Sequence, residues 1–319
     1  GLSIFGNTTG LNAGVSTFTA DITVNGISVG KGANSVGSNI AIGNGALDGS
    51  VTGGNNTAIG LNALTECTSG PNNVAIGNYT LDSLTTGQAN TGVGYNTLQA
   101  VTTQRFNTAV GRSALQYNTA ENNVAVGYVA LQSNTTGTQN TAVGTYALDS
   151  ATTAIRNTVV GCNAGTTVST GGYNAIFGAY AGEDVNTGTH NTFLGYDCGP
   201  NVQDGDFNIA IGSNALHTSI SADKNTAIGY QSMYYTTTGN NNAAVGSDSL
   251  KANTTGYNNT SVGAFSLLAN TTGNNNTAVG KDALAANTTA NNNTAVGHDA
   301  MTANTTGTNN VAVGANALD

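Results

Sequence analysis

Apolar and polar positions recur along the chain in one pattern, Asn-x-Ala-Val/Ile-Gly, from Asn39 to Gly314. Seventeen copies occur, and their closing glycines lie 17 residues apart except between Gly111 and Gly127, where 16 residues separate them. The motif survives that deletion, so the loop between motifs tolerates a change of length. Self-similarity at a fixed period is typical of a solenoid, in which each repeat packs only on its neighbours.

Each repeat predicts a short strand that ends at a glycine corner. With the closing glycine numbered zero, position −1 is always Val, Ile, Leu or Phe, position +3 is always small, and position +4 is Leu or Met in fourteen copies. Gly, Asn, Thr and Val are poor helix formers, and no 3.6-residue stripe is present. We therefore predict an all-β fold. It is a parallel β-solenoid of 17 coils of 17 residues over residues 39–319, preceded by a non-repetitive N-terminal segment or cap over residues 1–38.

Position −4 is Asn in every copy. The same polar residue in all repeats indicates a structural requirement. Stacked amide side chains can form hydrogen bonds from one coil to the next. The predicted asparagine ladder consists of Asn39, Asn56, Asn73, Asn90, Asn107, Asn123, Asn140, Asn157, Asn174, Asn191, Asn208, Asn225, Asn242, Asn259, Asn276, Asn293 and Asn310.

Positions −2 and +4 exchange volume in three consecutive repeats. Position −2 is usually Ala and position +4 usually Leu, but these repeats have a larger residue at −2 and Gly at +4. The pairs are Val159 with Gly165, Ile176 with Gly182, and Phe193 with Gly199. Since close packing penalises both voids and excess bulk, the exchange predicts that the two positions meet inside the coil.

Position −1 places one apolar side chain per repeat on the strand face opposite to position −2. A monomer rarely exposes a continuous apolar stripe. We expect copies of the chain to bury it against one another, and a homotrimer with position −1 toward the axis is the simplest arrangement for a rod. The predicted interface residues are Val110, Val143, Val160, Ile211, Val245, Val279 and Val296. The alternative is a monomer in which a wider coil encloses position −1.

The repeat NNTAVGKDALAANTTA at residues 275–290 resembles the tail-fibre repeats of bacteriophages, especially marine and cyanobacterial ones. It is also similar to the head repeats of trimeric autotransporter adhesins, although the 17-residue period is longer than theirs. The stretch DITVNGISVGKG at residues 21–32 resembles the segment that commonly precedes such repeats. The resemblance implies a left-handed β-roll, an intertwined or side-by-side homotrimer, and a fibre shaft or adhesin stalk at a virion surface or in the extracellular space.

Composition and charge narrow the range of functions. Only 7% of the residues are charged, and the formal net charge is −9, which argues against catalysis and against nucleic acid as a partner. The glycines follow a structural period and form no phosphate loop, so we expect no cofactor. No run of 18 apolar residues occurs, which argues against membrane insertion.

Few residues are candidates for metal or ligand chemistry. The three histidines are expected to lie in solvent-exposed turns, and the three cysteines to act as small apolar residues. Acidic residues concentrate on two adjacent coils, which makes them a weak calcium candidate against the alternative of a solvated acidic rim. These are Glu183, Asp184, Asp197, Asp204 and Asp206.

Seven tyrosines follow the closing glycine at position +1 or +2. Such rings can stack on a sugar of a cell-surface glycan or receptor, or pack over neighbouring corners. They are Tyr79, Tyr95, Tyr128, Tyr146, Tyr180, Tyr196 and Tyr230.

Three functions fit the repeat. The first is a structural fibre shaft that projects an attachment tip, and the second is a self-assembling extracellular filament or surface-layer protein. The third, an ice-binding solenoid, is suggested by threonines at position −3, such as Thr57, Thr91 and Thr108. Apolar residues such as Ile40 and Val74 interrupt that column, and ice would require a regular threonine grid.

Overall fold

The computed structural model describes residues 21–319, so residues 1–20 of the predicted N-terminal segment lie outside the described chain. Strands β1 (Ile22–Val24) and β2 (Ile27–Gly30) form an antiparallel hairpin, and one turn of 3-10 helix, Ala33–Ser35, follows. The repeats then supply the three-residue strands β3 (Ile40–Ile42), β4 (Thr57–Ile59), β5 (Val74–Ile76), β6 (Thr91–Val93), β7 (Thr108–Val110), β8 (Val124–Val126), β9 (Thr141–Val143), β10 (Thr158–Val160), β11 (Ala175–Phe177), β12 (Thr192–Leu194), β13 (Ile209–Ile211), β14 (Thr226–Ile228), β15 (Ala243–Val245), β16 (Thr260–Val262), β17 (Thr277–Val279), β18 (Thr294–Val296) and β19 (Val311–Val313).

Strands β3 to β19 form one parallel sheet in which each strand pairs with the next repeat in register. Thr141, for example, pairs with Thr158 and Val143 with Val160. The predicted all-β parallel β-solenoid is therefore confirmed, with about 16 turns over the described residues. Strand β2 pairs antiparallel with β3, so the hairpin lies against the first coil.

The core is a narrow column inside the coils. In the repeat that closes at Gly60, Ala58, Ala63 and Leu64 are fully buried, because strand alternation turns position −2 inward and the following corner directs positions +3 and +4 inward. The Leu64 backbone is left-handed, with φ +53°, a conformation that branched and bulky residues rarely adopt. Left-handed residues recur at positions −5, +2 and +4 and turn the chain back within 17 residues.

In every coil that is followed by another coil, the surroundings of the closing glycine leave no room for a side chain. Its φ ranges from +128° to +152°, a region that side chains disfavour. A Cβ at Gly94 would lie 2.6 Å from the carbonyl oxygen of Gly111 in the next coil. The glycine column therefore lets the corners of adjacent coils approach each other.

The predicted contact between positions −2 and +4 is confirmed. A Cβ at Gly182 would lie 2.9 Å from Ile176 Cδ1 and 3.1 Å from Phe193 Cδ2. At Gly165, the corresponding distances to Val159 and Ile176 are both 3.5 Å. The larger residue at −2 thus occupies the space that Leu fills in the other coils.

The asparagines at position −4 are buried, except for the half-buried Asn310 of the last coil, and each inner one connects three successive coils. Asn157 Oδ1 accepts a hydrogen bond from the backbone N–H of Asn174 at 3.0 Å. Its Nδ2 donates to the Asn140 Oδ1 at 3.2 Å and to the Gly171 carbonyl at 2.9 Å. The ladder therefore joins amide to backbone as well as amide to amide, and it ties each strand to the polar turn of its own coil.

A second amide ladder lies at position +7, which the sequence analysis did not single out. Asn270 donates to Asn253 at 3.1 Å, Asn287 to Asn270 at 2.9 Å, and Asn304 to Asn287 at 3.1 Å. Other coils place an apolar residue there, such as the fully buried Val168 and Val185. The interior thus accepts either an amide column or an apolar column at this position.

Candidate functional surfaces

The outer sheet face carries positions −3 and −1 of every repeat. No side chain at position −1 is buried within the described chain, and Val110 and Val245 are each 37% exposed. The alternative in which a wider coil encloses position −1 is therefore wrong. Of the predicted interface residues, Val143, Val160, Ile211 and Val296 are half-buried, and Val279 is 36% exposed. A single chain thus presents an apolar stripe along its whole length.

Tyrosines and one arginine cover the glycine corner of five consecutive coils. We call Tyr79, Tyr95, Arg112, Tyr128 and Tyr146 the corner ribbon. The ring centroids of Tyr79 and Tyr95 lie 6.1 Å apart, and those of Tyr128 and Tyr146 lie 5.3 Å apart, both edge to face. The Arg112 guanidinium carbon lies 5.9 Å from the Tyr95 ring and 5.7 Å from the Tyr128 ring. The tyrosines therefore pack over neighbouring corners, yet most remain exposed to solvent.

A column of polar side chains at position +5 follows the same five coils. We call Asp82, Gln99, Gln116, Gln132 and Asp149 the glutamine ladder. Gln99 donates to Asp82 at 3.4 Å, Gln116 to Gln99 at 3.0 Å, and Gln132 to Gln116 at 2.8 Å. Burial raises the pKa of the Asp82 and Asp149 carboxyl groups. Sequence reasoning missed this column, although the run of glutamines at one repeat position is readable at the 17-residue period.

A stack of cationic and aromatic side chains lies at position −5, where most other repeats have Asn, and sequence reasoning missed it. Tyr173 and His190 stack with centroids 4.7 Å apart, and His190 and Phe207 with centroids 4.8 Å apart. Arg156 donates to the Tyr173 hydroxyl at 2.8 Å. Each of these residues has φ between +56° and +61°, a left-handed conformation that Asn tolerates better than bulky residues do. The stacking contacts must therefore offset the conformational free energy that the left-handed backbone costs these bulky residues.

The acidic residues proposed as a weak calcium candidate do not assemble into a site. No group of three or more His, Cys, Asp or Glu within residues 21–319 is placed to hold a metal ion. Asp206 instead accepts hydrogen bonds from the Thr189 backbone and hydroxyl at 2.7 and 2.8 Å. Burial, followed by the charges of Asp184 and Asp197, raises the pKa of Glu183.

The expectation of histidines in exposed turns is wrong for His217. Its Nε2 lies 3.1 Å from Asp197 Oδ2, its side chain is only 22% exposed, and its ring stacks on Tyr234. The pair therefore has the geometry of a partly buried ion pair whenever the imidazole is protonated.

The thiols are free, and two of them are buried as expected. Cys67 and Cys198 are buried, whereas Cys162 is exposed. Burial raises the pKa of the Cys198 thiol to about 12, so this sulfur stays protonated at neutral pH and packs as an apolar atom.

No helix within residues 21–319 is long and apolar enough to cross a membrane. The chain matches no family model, no curated protein and no solved structure.

Proposed function

We propose that the chain forms the shaft of an elongated homo-oligomeric fibre, as in a viral tail fibre or an adhesin stalk at a virion or cell surface. The simplest assembly is a trimer with position −1 toward the axis. The role is structural, and the shaft holds an attachment tip away from its base. Its side contacts surface glycans.

The apolar stripe at position −1 carries this proposal. Each side chain is already partly covered within one chain, so burial against a partner would gain about 1 kcal/mol per residue. Repeated along the rod, that gain is large enough to offset the loss of translational and rotational freedom on association. A stripe of this length, on an in-register sheet, favours a partner of equal length and period, and a second copy of the chain has both.

The rod geometry also supports a shaft. Parallel strands stack at about 4.8 Å, so the turns of this solenoid extend over roughly 75–80 Å. The asparagine ladder and the glycine column occur in every repeat, so the same contacts join each pair of adjacent coils along the shaft.

Light scattering after size-exclusion chromatography tests the proposal at micromolar concentration. We expect the wild-type chain to have three times the monomer mass, and Val143→Asp with Val245→Asp to be monomeric, because like charges buried at an axis have no counterion. Thr153→Asp, on an exposed turn, is the matched control and should keep the oligomer. A folded wild-type monomer would overturn the shaft.

Two other functions have different experimental signatures. A mass that grows with concentration would favour a filament or surface-layer protein. Ice binding would appear as thermal hysteresis of the monomer. It is the weaker alternative, since the longest uninterrupted run of threonine at position −3 is Thr260, Thr277 and Thr294.

A further inference from the structure

The corner ribbon and the glutamine ladder occupy the same five coils, which close at Gly77 through Gly144. The coils that close at Gly246 through Gly297 have no tyrosine at position +1 or +2 and no glutamine at position +5. All of these coils share the same fold, so the solenoid does not need these side chains. Corner tyrosines also occur at Tyr180, Tyr196 and Tyr230, but glutamine at position +5 occurs only within these five coils. The combination of the two columns therefore points to a role in recognition.

The two columns lie side by side at both ends. Tyr79 of the ribbon and Asp82 of the ladder line one cavity of about 220 Å³, together with Asn62, Thr65 and Glu66. At the other end, Tyr146 and Asp149 occupy positions +2 and +5 of the coil that closes at Gly144, the same positions that Tyr79 and Asp82 occupy in theirs. Aromatic rings and hydrogen-bonding groups thus run in parallel over five coils.

This pairing of groups suits a sugar. The exposed tyrosine rings offer apolar surface to the C–H groups of a pyranose. Gln99 and Gln132 are half-buried, and each uses one amide N–H in the ladder, which leaves its second N–H for a ligand hydroxyl. Gln116 is buried between them and links the two. Arg112 adds fixed donors, because it is stacked between two rings and has no ion pair within residues 21–319.

The surrounding charge selects among glycans. Carboxylates stand at both ends of the ladder, Glu66 lines the cavity, and the chain as a whole has a net charge of −9. These charges oppose a uronate or sulfated glycan and a nucleic acid. Carboxylate oxygens accept hydrogen bonds from sugar hydroxyls instead.

We infer that the corner ribbon and the glutamine ladder form a binding site for a linear, neutral polysaccharide that lies along the rod. Five coils at a spacing of about 4.8 Å give a site of roughly 19 Å, long enough for several sugar units. One coil also rises by about the length of one pyranose in an extended chain, so successive sugars meet successive members of the two columns. The inference rests on the proposed function, because a shaft that contacts surface glycans is what makes a glycan the expected ligand.

Isothermal titration calorimetry with cellohexaose, mannohexaose and maltohexaose tests the site, with polygalacturonate as the acidic probe. We expect the wild-type protein to bind at least one neutral hexasaccharide and to bind polygalacturonate more weakly. Tyr128→Ala, Gln132→Ala and Arg112→Gln should each weaken that binding about tenfold, the effect of losing one good contact. Tyr257→Ala removes an equally exposed tyrosine outside the site and should leave the affinity unchanged.

Several results would overturn the site: no binding of any neutral hexasaccharide, tighter binding of polygalacturonate, or equal loss of affinity in Tyr257→Ala. Circular dichroism melting checks that each variant folds. If Gln132→Ala unfolds, the variants of the exposed residues, Arg112→Gln and Tyr128→Ala, still decide the question. Light scattering on the same samples separates the two proposals, since a monomer that binds the sugar overturns only the shaft, and a trimer that binds none overturns only the site.

Discussion

Phe193 occupies the space that a side chain at Gly199 would require. A Cβ at Gly199 would lie 2.9 Å from Phe193 Cε1 and 3.0 Å from Cδ1 and Cζ. The Phe193 side chain is fully buried, and Gly199 has φ +56°, the same left-handed backbone that Leu148 adopts at φ +52°. At position +4 the backbone therefore has the same conformation as in the coils that carry Ala at −2 and Leu at +4. The difference lies in the side chains, since the larger one is now at position −2.

Phe193→Ala should lower the free energy of unfolding by about 3–5 kcal/mol, because it opens a cavity that the narrow coil cannot close. Gly199→Leu alone should also destabilise the protein, since the new side chain would overlap the Phe193 ring. The double variant restores the pair found in the other coils, Ala at −2 and Leu at +4, and should recover part of both losses. Denaturation midpoints of the four proteins measure the coupling, and strictly additive losses would contradict the shared space.

The repeat predicted much of this fold because its period is a direct consequence of stacking. A residue at one position lies above its equivalent in the next coil, so the requirement for Asn at −4 and for Gly at zero is visible in the sequence alone. The exchange between Phe193 and Gly199 was visible for the same reason. The antiparallel hairpin β1–β2 was not, because residues 21–38 repeat nothing.

Gly94→Ala should destabilise the rod more than an ordinary surface change does. The added Cβ would lie 2.6 Å from the Gly111 carbonyl oxygen, and φ at Gly94 is +139°. We expect a lower melting temperature by circular dichroism, with a loss of several kcal/mol from the sum of strain and displaced backbone. Gly37→Ala is the matched control, because nothing lies within 4 Å of its added Cβ. Equal melting temperatures for the two variants would count against the close approach of corners.

Asn157→Leu should cost more stability than Thr153→Leu. The first change leaves the Asn174 N–H and the Gly171 carbonyl without their partner, and each unsatisfied buried group costs about 1–3 kcal/mol. Thr153 is exposed and serves as the control. Denaturation in guanidinium chloride measures the difference. If both variants unfold at the wild-type midpoint, the asparagine ladder contributes nothing to stability.

The candidate sugar site was only partly predictable. The corner tyrosines were visible because they follow the repeat glycine. Their pairing with the glutamine ladder was not, because it depends on how the left-handed residues at +2 and +4 fold the corner back toward position +5. The stack of Tyr173, His190 and Phe207 was missed for a different reason. Its members share position −5 of consecutive repeats, but the identities at that position vary along the chain, so the position was not compared from coil to coil.

Acidic pH should stabilise the coils that contain the glutamine ladder. Burial raises the pKa of Asp82 and of Asp149 in the folded protein, so the folded state binds these protons more tightly than the unfolded state. Their stabilising contribution is fully present below the unfolded pKa, about 3.9, and is lost as the pH rises through the folded pKa values. Both carboxyl groups are partly exposed, so solvent screening keeps each effect under about 1 kcal/mol.

The pH dependence is measured by comparing wild-type protein with the double variant Asp82→Asn and Asp149→Asn in urea at about pH 3.5, below the unfolded pKa of Asp, and at about pH 7. The wild-type midpoint should be lower at pH 7, where both partly buried carboxyl groups are ionised. The introduced amides cannot ionise, and the amide oxygen of the Asp82→Asn change would still accept the hydrogen bond that Gln99 now donates to Asp82. The variant should therefore gain stability at pH 7 and show a smaller difference between the two pH values. Other groups with a raised pKa, such as Glu183, are common to both proteins and cancel. An unchanged or larger pH difference in the variant would show that the two carboxyl groups are no harder to ionise in the rod than in the unfolded chain.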